Sequence, residues 1–271
     1  MLFLIALAAG FLPVTVATPV SAQQSDAKSS ADVVVTGKKQ REERTAGAVT
    51  ALDEYSVRFA RCAKKVDIRL LHKIIDGEPY SSPSQYALDR AIRTNMGCYM
   101  GYHTPGSPEP YYGVCNAIDN HAYRFRLPVC RAPYDRAALV AEAIARYAPD
   151  VRLTKTQTMN VQVQARLGAR EKQRNRLRPL TERQYVAVTL CMVGNAPEAA
   201  ADLVHNNRSS KLQKSAADRL IEETSECTGD AKELKIDRVE FRNYVVDAFY
   251  SWLVAARNVP SLLPLPPDQH S

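Results

Sequence analysis

The chain lacks the short motifs that carry most enzyme chemistry. It has no HExxH zinc pattern, no GxSxG nucleophile elbow, and no glycine-rich phosphate loop of the GxGxxG or P-loop type. It has no CxxC, so zinc-ribbon and thioredoxin-type readings lose their anchor. Its five histidines, His72, His103, His121, His205 and His270, stand at no metal-ligand spacing. Asp119-Asn120-His121 follows Cys115 closely, the arrangement of a Cys/His nucleophile. Cys115 has a nearby partner in Cys130, however, and a disulfide sulfur is not a thiolate. No catalytic residue, metal or cofactor is therefore expected. Past the N-terminus there is also no apolar run long enough to span a bilayer, so no membrane segment is expected in the mature chain.

What is present begins with a leader. Met1–Ala17 is almost wholly apolar, and Val20-Ser21-Ala22 is a small-residue cleavage site before Gln23. Gly10 and Pro13 interrupt the run, which is short for a membrane anchor. No Lys or Arg precedes it, a departure from the usual signal peptide. Residues 1–22 are read as a signal peptide cut after Ala22, which places the mature chain in the periplasm or the medium.

Residues 1–22 hold no charged side chain, so the mature chain keeps the net charge of +7. That balance favours anionic partners in an exported protein, such as an envelope protein, an acidic glycan or a lipid surface. Nucleic acid is not expected there. The simplest reading of the charges is that they coat solvated helix faces.

Six cysteines in an exported chain are expected to pair. Cys62 and Cys98 stand 36 positions apart, and so do Cys191 and Cys227, at an offset of 129. The intervening stretches align without a gap. Ile74-Ile75 falls on Leu203-Val204, and Ala87, Asp89, Arg90 and Ile92 fall on Ala216, Asp218, Arg219 and Ile221. The spacing predicts Cys62–Cys98 and Cys191–Cys227, which leaves Cys115 with Cys130. The fold class follows: all-α, two duplicated three- to four-helix units, each with an internal disulfide.

Helical periodicity supports this. Leu52, Tyr55, Phe59, Cys62 and Val66 share one face, and a short helix is expected over Ile68–Ile75. Ser82 and Pro83 read as a helix start. In the second copy Thr181–Gln184 reads as a capping box before Tyr185–Met192, Pro197 as the start of a middle helix, and Ser210 as a cap. Each copy ends in an apolar stripe: Leu139, Ala143, Ile144 and Tyr147 in the first; Phe241, Val245, Ala248, Phe249, Trp252 and Leu253 in the second. The units span 51–150 and 184–257. A basic helical connector, 151–183, carries Arg166, Arg170, Lys172, Arg174, Arg176, Arg178 and Arg183. A Pro-rich tail without a core pattern covers 258–271.

Two segments read as contact surfaces. Residues 99–134 are an insertion rich in turn formers, with Gly101, Gly106, Gly113 and six of the 13 tyrosines. Tyr102, Tyr111, Tyr112 and Tyr123, with Arg124, Arg126 and Arg131 nearby, suit sugars, peptides or acidic groups. The second is in the polar leader 23–50, where Val33, Val34, Val35, Thr36 and Gly37 favour an extended strand. Val34-Val35-Thr36-Gly37-Lys38-Lys39 resembles the energy-coupling region near the mature N-terminus of TonB-dependent outer-membrane receptors. The resemblance covers about ten residues. It implies strand addition to a partner's sheet edge; the helical remainder departs from the receptors' strand barrel. The chain thus reads as an exported non-enzymatic binding or scaffolding protein of a bacterial envelope. The rivals are an accessory of TonB-linked transport and an envelope enzyme with Glu142 and Asp247 as paired carboxylates in a cleft between the units.

Overall fold

Residues 43–63, 66–99, 131–205, 210–229 and 236–266 are described by the structure, a computed structural model. Every element among them is helical. In chain order these are α1 (Glu43–Cys62), α2 (Ile68–Ile75), α3 (Ser82–Thr94), α4 (Ala132–Tyr147), α5 (Lys155–Thr158), α6 (Val161–Arg174), α7 (Leu180–Asn195), α8 (Pro197–His205), α9 (Ser210–Glu223) and α10 (Arg238–Arg257). A short 3₁₀ turn follows α3 at Met96–Cys98 and another follows α9 at Ser225–Thr228. No helix among the described residues is long and apolar enough to cross a membrane.

Local chemistry sets most boundaries. Asp67 caps α2 by accepting from the Arg69 amide at 2.7 Å. Ser81, one residue before the expected Ser82, caps α3 through the Ser84 amide, with Pro83 in the first turn. Asp237 caps α10, which stops at Asn258 in the left-handed region, φ 54°. The expected box at Thr181 is not a cap. Proline keeps Arg178 out of helical geometry, so α7 starts directly after Pro179, and Arg178 pairs with Glu182 across the first turn at 2.6 Å. Residues 43–50, read as leader, are the opening turns of α1.

The two disulfides fall where the spacing put them. Cys62–Cys98 and Cys191–Cys227 each join the end of a first helix to the 3₁₀ turn after a third, with Cα atoms 5.5 and 5.6 Å apart. Offsetting α2 and α3 by 129 lands within a residue of α8 and α9 at both ends. Packing partners correspond as well: α1 lies on α4 and α2 on α3, while α7 lies on α10 and α8 on α9.

α10 is the central element. It packs against α4, α6, α7 and α8, and Phe241, Val245, Val246, Phe249, Tyr250 and Leu253 along it are almost fully buried. Phe59, Ile74, Ile75, Ile92, Ile144, Met192 and Leu203 complete one continuous core with it. Burying each such side chain contributes about 1.5–3 kcal/mol.

The connector is not a single solvated helix. Thr154 and Gln157 form a reciprocal capping box that opens α5, and Asn160 caps α6. α5 docks on the end of α7. The Thr158 hydroxyl donates to the Gly194 carbonyl at 2.7 Å, and Lys155 Nζ donates to the Asn195 carbonyl at 2.6 Å. The Pro-rich tail also departs from the sequence reading: Leu262 and Leu263 are buried in the main core.

At Gly194 the fold needs the absence of a side chain. A Cβ there would sit 2.8 Å from Cζ2 of Trp252. That indole is buried and held by its N–H bond to the Leu190 carbonyl at 2.9 Å, so it cannot swing clear. Gly194→Ala is expected to cost about 1–3 kcal/mol despite its better helix propensity. Chemical unfolding followed by the fluorescence of the single tryptophan reads this directly.

Candidate functional site

Tyr99 and Arg131 flank residues 100–130, and both side chains are buried. The Arg131 guanidinium lies 3.7 Å over the Tyr99 ring. Arg131 Nε donates to Asp135 Oδ1 at 3.1 Å, and the Tyr99 hydroxyl donates to Asp135 Oδ2 at 3.2 Å. Phe59 meets Tyr99 edge to face, with centroids 5.4 Å apart. Cys98 next door is bonded to Cys62. The insertion therefore leaves and returns through one buried clamp. Burial pushes the Asp135 carboxyl up, while Arg131, Ser56 and Tyr99 pull it down. Arg131, expected near a binding surface, is buried in this clamp.

The rest of the insertion, with Tyr102, Tyr111, Tyr112, Tyr123, Arg124, Arg126, Cys115 and Cys130, lies outside the described residues. So does the segment Val33, Val34, Val35, Thr36 and Gly37.

A second constellation joins the helices around Asp247 on α10. Its Oδ1 accepts from Arg136 of α4 and Arg174 of α6, both at 3.0 Å, and its Oδ2 accepts from Arg178 at 2.6 Å. Burial alone would raise this carboxyl; Arg136, Arg174 and Arg178 together hold it well below the usual range. Arg174 also donates to Glu171 at 2.8 Å and to Ser251 at 2.8 Å. Arg136 and Arg174 reach the carbonyls of Ile74 and Ile75, which end α2 with no partners of their own. Three guanidiniums thus face the carboxylates Asp247, Glu171 and Glu182. Charge is balanced, and the site is closed rather than open to a ligand.

This geometry separates the two carboxylates once considered as a pair. Asp247 is clasped by three cations. Glu142 pairs with Arg146 at 3.5 Å beside a small depression lined by Ala60, Ala63, Leu71, Leu139 and Tyr147. Asp247 is not part of that depression. Among the described residues no group of His, Cys, Asp and Glu could hold a metal ion.

Asp76, at the end of α2, centres a third constellation. Oδ1 accepts from Arg170 Nη2 at 3.0 Å and from the Tyr250 hydroxyl at 2.9 Å. Oδ2 accepts from the Ser261 hydroxyl at 2.7 Å and faces His72 Nδ1 at 3.0 Å. His72 Nε2 stands 2.8 Å from the Pro264 carbonyl, and Arg170 Nη1 donates to the Pro260 carbonyl at 3.2 Å. Residues 260–264 are thereby strapped across α2, α6 and α10.

No family model matches the chain, and neither a curated protein nor a solved structure does. The functional reading rests on the geometry alone. One surface feature escaped the sequence reading. Tyr80 is partly exposed at φ 67°, unusual for a bulky residue, and its phenol is pushed up by burial and by the neighbouring Glu182 carboxylate. Tyr244 lies nearby, with Tyr185 against it at 5.6 Å. Nothing in the spacing of these residues marks them as neighbours.

Proposed function

We propose that this is an exported, non-enzymatic binding protein of a bacterial cell envelope, whose disulfide-stapled helical body presents residues 100–130 as its contact surface. The observation that carries the reading is the buried clamp of Tyr99, Arg131 and Asp135, which fixes both ends of the insertion to a rigid core. Two disulfides fit a chain that folds in an oxidising compartment, in keeping with a signal peptide cut after Ala22. The matched helix boundaries and packing partners support an origin by duplication of one helical unit.

The partner class that suits the insertion is an anionic glycan or lipid surface, met by Tyr102, Tyr111, Tyr112 and Tyr123 with Arg124 and Arg126. Losing a desolvated Tyr or Arg contact typically weakens binding at least about tenfold. Co-sedimentation of the mature protein with purified envelope glycan and with vesicles containing anionic lipid tests this. Tyr111→Ala, Tyr112→Ala and Arg124→Ala combined should abolish retention and leave helix content and melting temperature unchanged. Equal retention of the triple variant would end the proposal.

The TonB-linked alternative rests on Val34–Lys39 and predicts that deleting residues 32–37 abolishes partner capture while folding persists. The enzymatic alternative is disfavoured by the clasped state of Asp247, whose buried carboxylate is held in its charged form by three guanidiniums and so makes a poor base.

A further inference from the structure

His72 is flanked by two acceptors. On one side is the Asp76 carboxylate, 3.0 Å from Nδ1; on the other is the Pro264 carbonyl, 2.8 Å from Nε2. A carbonyl oxygen cannot donate, so Nε2 must carry a hydrogen. The carboxylate already accepts from Arg170, Tyr250 and Ser261, so it too acts as an acceptor, and Nδ1 must carry the second hydrogen. Only the imidazolium has both. A neutral ring can keep one of these bonds and turns a lone pair toward the other oxygen.

We propose that His72 is a proton-operated latch for the C-terminal strap, residues 260–264. With the proton on, the ring bridges Asp76 and Pro264, and Leu262 and Leu263 stay seated in the core. With the proton off, the one remaining ring N–H goes to the stronger acceptor, the Asp76 carboxylate, and the Pro264 tether is lost. The remaining ties are Ser261 on Asp76, Arg170 on the Pro260 carbonyl, and the Leu262 amide donating to Tyr250 at 3.3 Å.

Among the described residues, the charged and titratable groups bonded around His72 are few. α2 supplies Asp76, α6 supplies Arg170 and α10 supplies Tyr250. Residues 258–266 of the strap carry no charged side chain. The Tyr250 phenol is pushed up by burial and by Asp76, so it stays neutral across the range in which histidine titrates. Imidazole is the side-chain type in this set that exchanges a proton in the physiological range. The doubly bonded ring holds one proton more than a neutral ring, so docking is favoured by acid and weakens as pH rises and the ring gives up that proton.

The test is amide hydrogen exchange of Leu262 and Leu263 in the full mature protein, corrected for intrinsic rates, between about pH 5 and pH 8. The Leu262 N–H bonds Tyr250 only while the strap is seated, and the Leu263 N–H, bonded to Ser261 within the strap, is shielded while Leu263 stays buried. Protection should fall by about tenfold or more across this range, the value of one charge-assisted bond. In His72→Gln, a neutral donor, protection should be low and independent of pH. Ser261→Ala should lower protection at every pH and keep the wild-type pH dependence, which shows that a loosened strap is not itself the cause. Nitrogen shifts of the His72 ring should report the imidazolium at the low end. A flat wild-type profile, or a profile that His72→Gln preserves, would overturn the latch.

Discussion

Asp247→Asn is expected to lower stability by about 3–5 kcal/mol, the cost of leaving buried charge uncompensated. The side chain changes little in size. What changes is that Arg136, Arg174 and Arg178 lose the carboxylate they share, and Arg174 and Arg178 lie too deep for water to replace it. For a chain of this size the loss corresponds to a drop in melting temperature of about 10 °C. Arg136→Met is expected to cost less, because Asp247 keeps two guanidiniums and one buried cation disappears. An equal loss in both variants would mean that packing, rather than charge balance, sets the effect.

The same carboxylate sets the acid limit. Its folded-state value is depressed, so its contribution is present above the ordinary carboxylate range and is lost as pH falls through the folded value. The wild type should lose stability steadily from about pH 4 downward, and Asp247→Asn should do so less steeply. Urea midpoints at a series of pH values measure both slopes.

Opening either disulfide is the second large effect. Each bridge has a sequence separation of 36, so the chain-entropy account assigns each about 4 kcal/mol. Cys62→Ser with Cys98→Ser should match Cys191→Ser with Cys227→Ser to within about 1 kcal/mol. The first pair should add a local effect, since Cys98 adjoins the Tyr99 side of the clamp and loosening it frees the base of the insertion. Equilibrium unfolding of the two double variants decides the matter. A near-zero loss in one of them would show that its unfolded chain is already compact.

Sequence reasoning reached features whose signal is local or periodic. Ser82, Pro83 and the stripe of Phe241, Val245, Phe249 and Leu253 announce helices by themselves, and the paired spacings of the cysteines announced both described bridges. The Arg136–Arg174–Arg178–Asp247 cluster could not be read that way. Its members come from three helices and a turn, and a run of arginines looks the same whether it points outward or inward. The basic connector was therefore read as a solvated surface, although Arg174 and Arg178 are buried. Leu262 and Leu263 failed for a related reason. Two apolar residues between prolines have no period, and the strap is held by bonds from His72, Arg170 and Tyr250 far away in the chain. Tyr80 is a third case, since its neighbour Glu182 follows a hundred residues later.

The clamp beneath the insertion has an evolutionary consequence. Its described bonds run among Tyr99, Arg131, Asp135 and Phe59, which all lie outside residues 100–130. Changes of length inside that span cost the body little, since even doubling it would add only about 0.6 kcal/mol of closure entropy. The helical body can then be inherited as a conserved chassis while the span diverges quickly, lineage by lineage, to meet whatever it contacts.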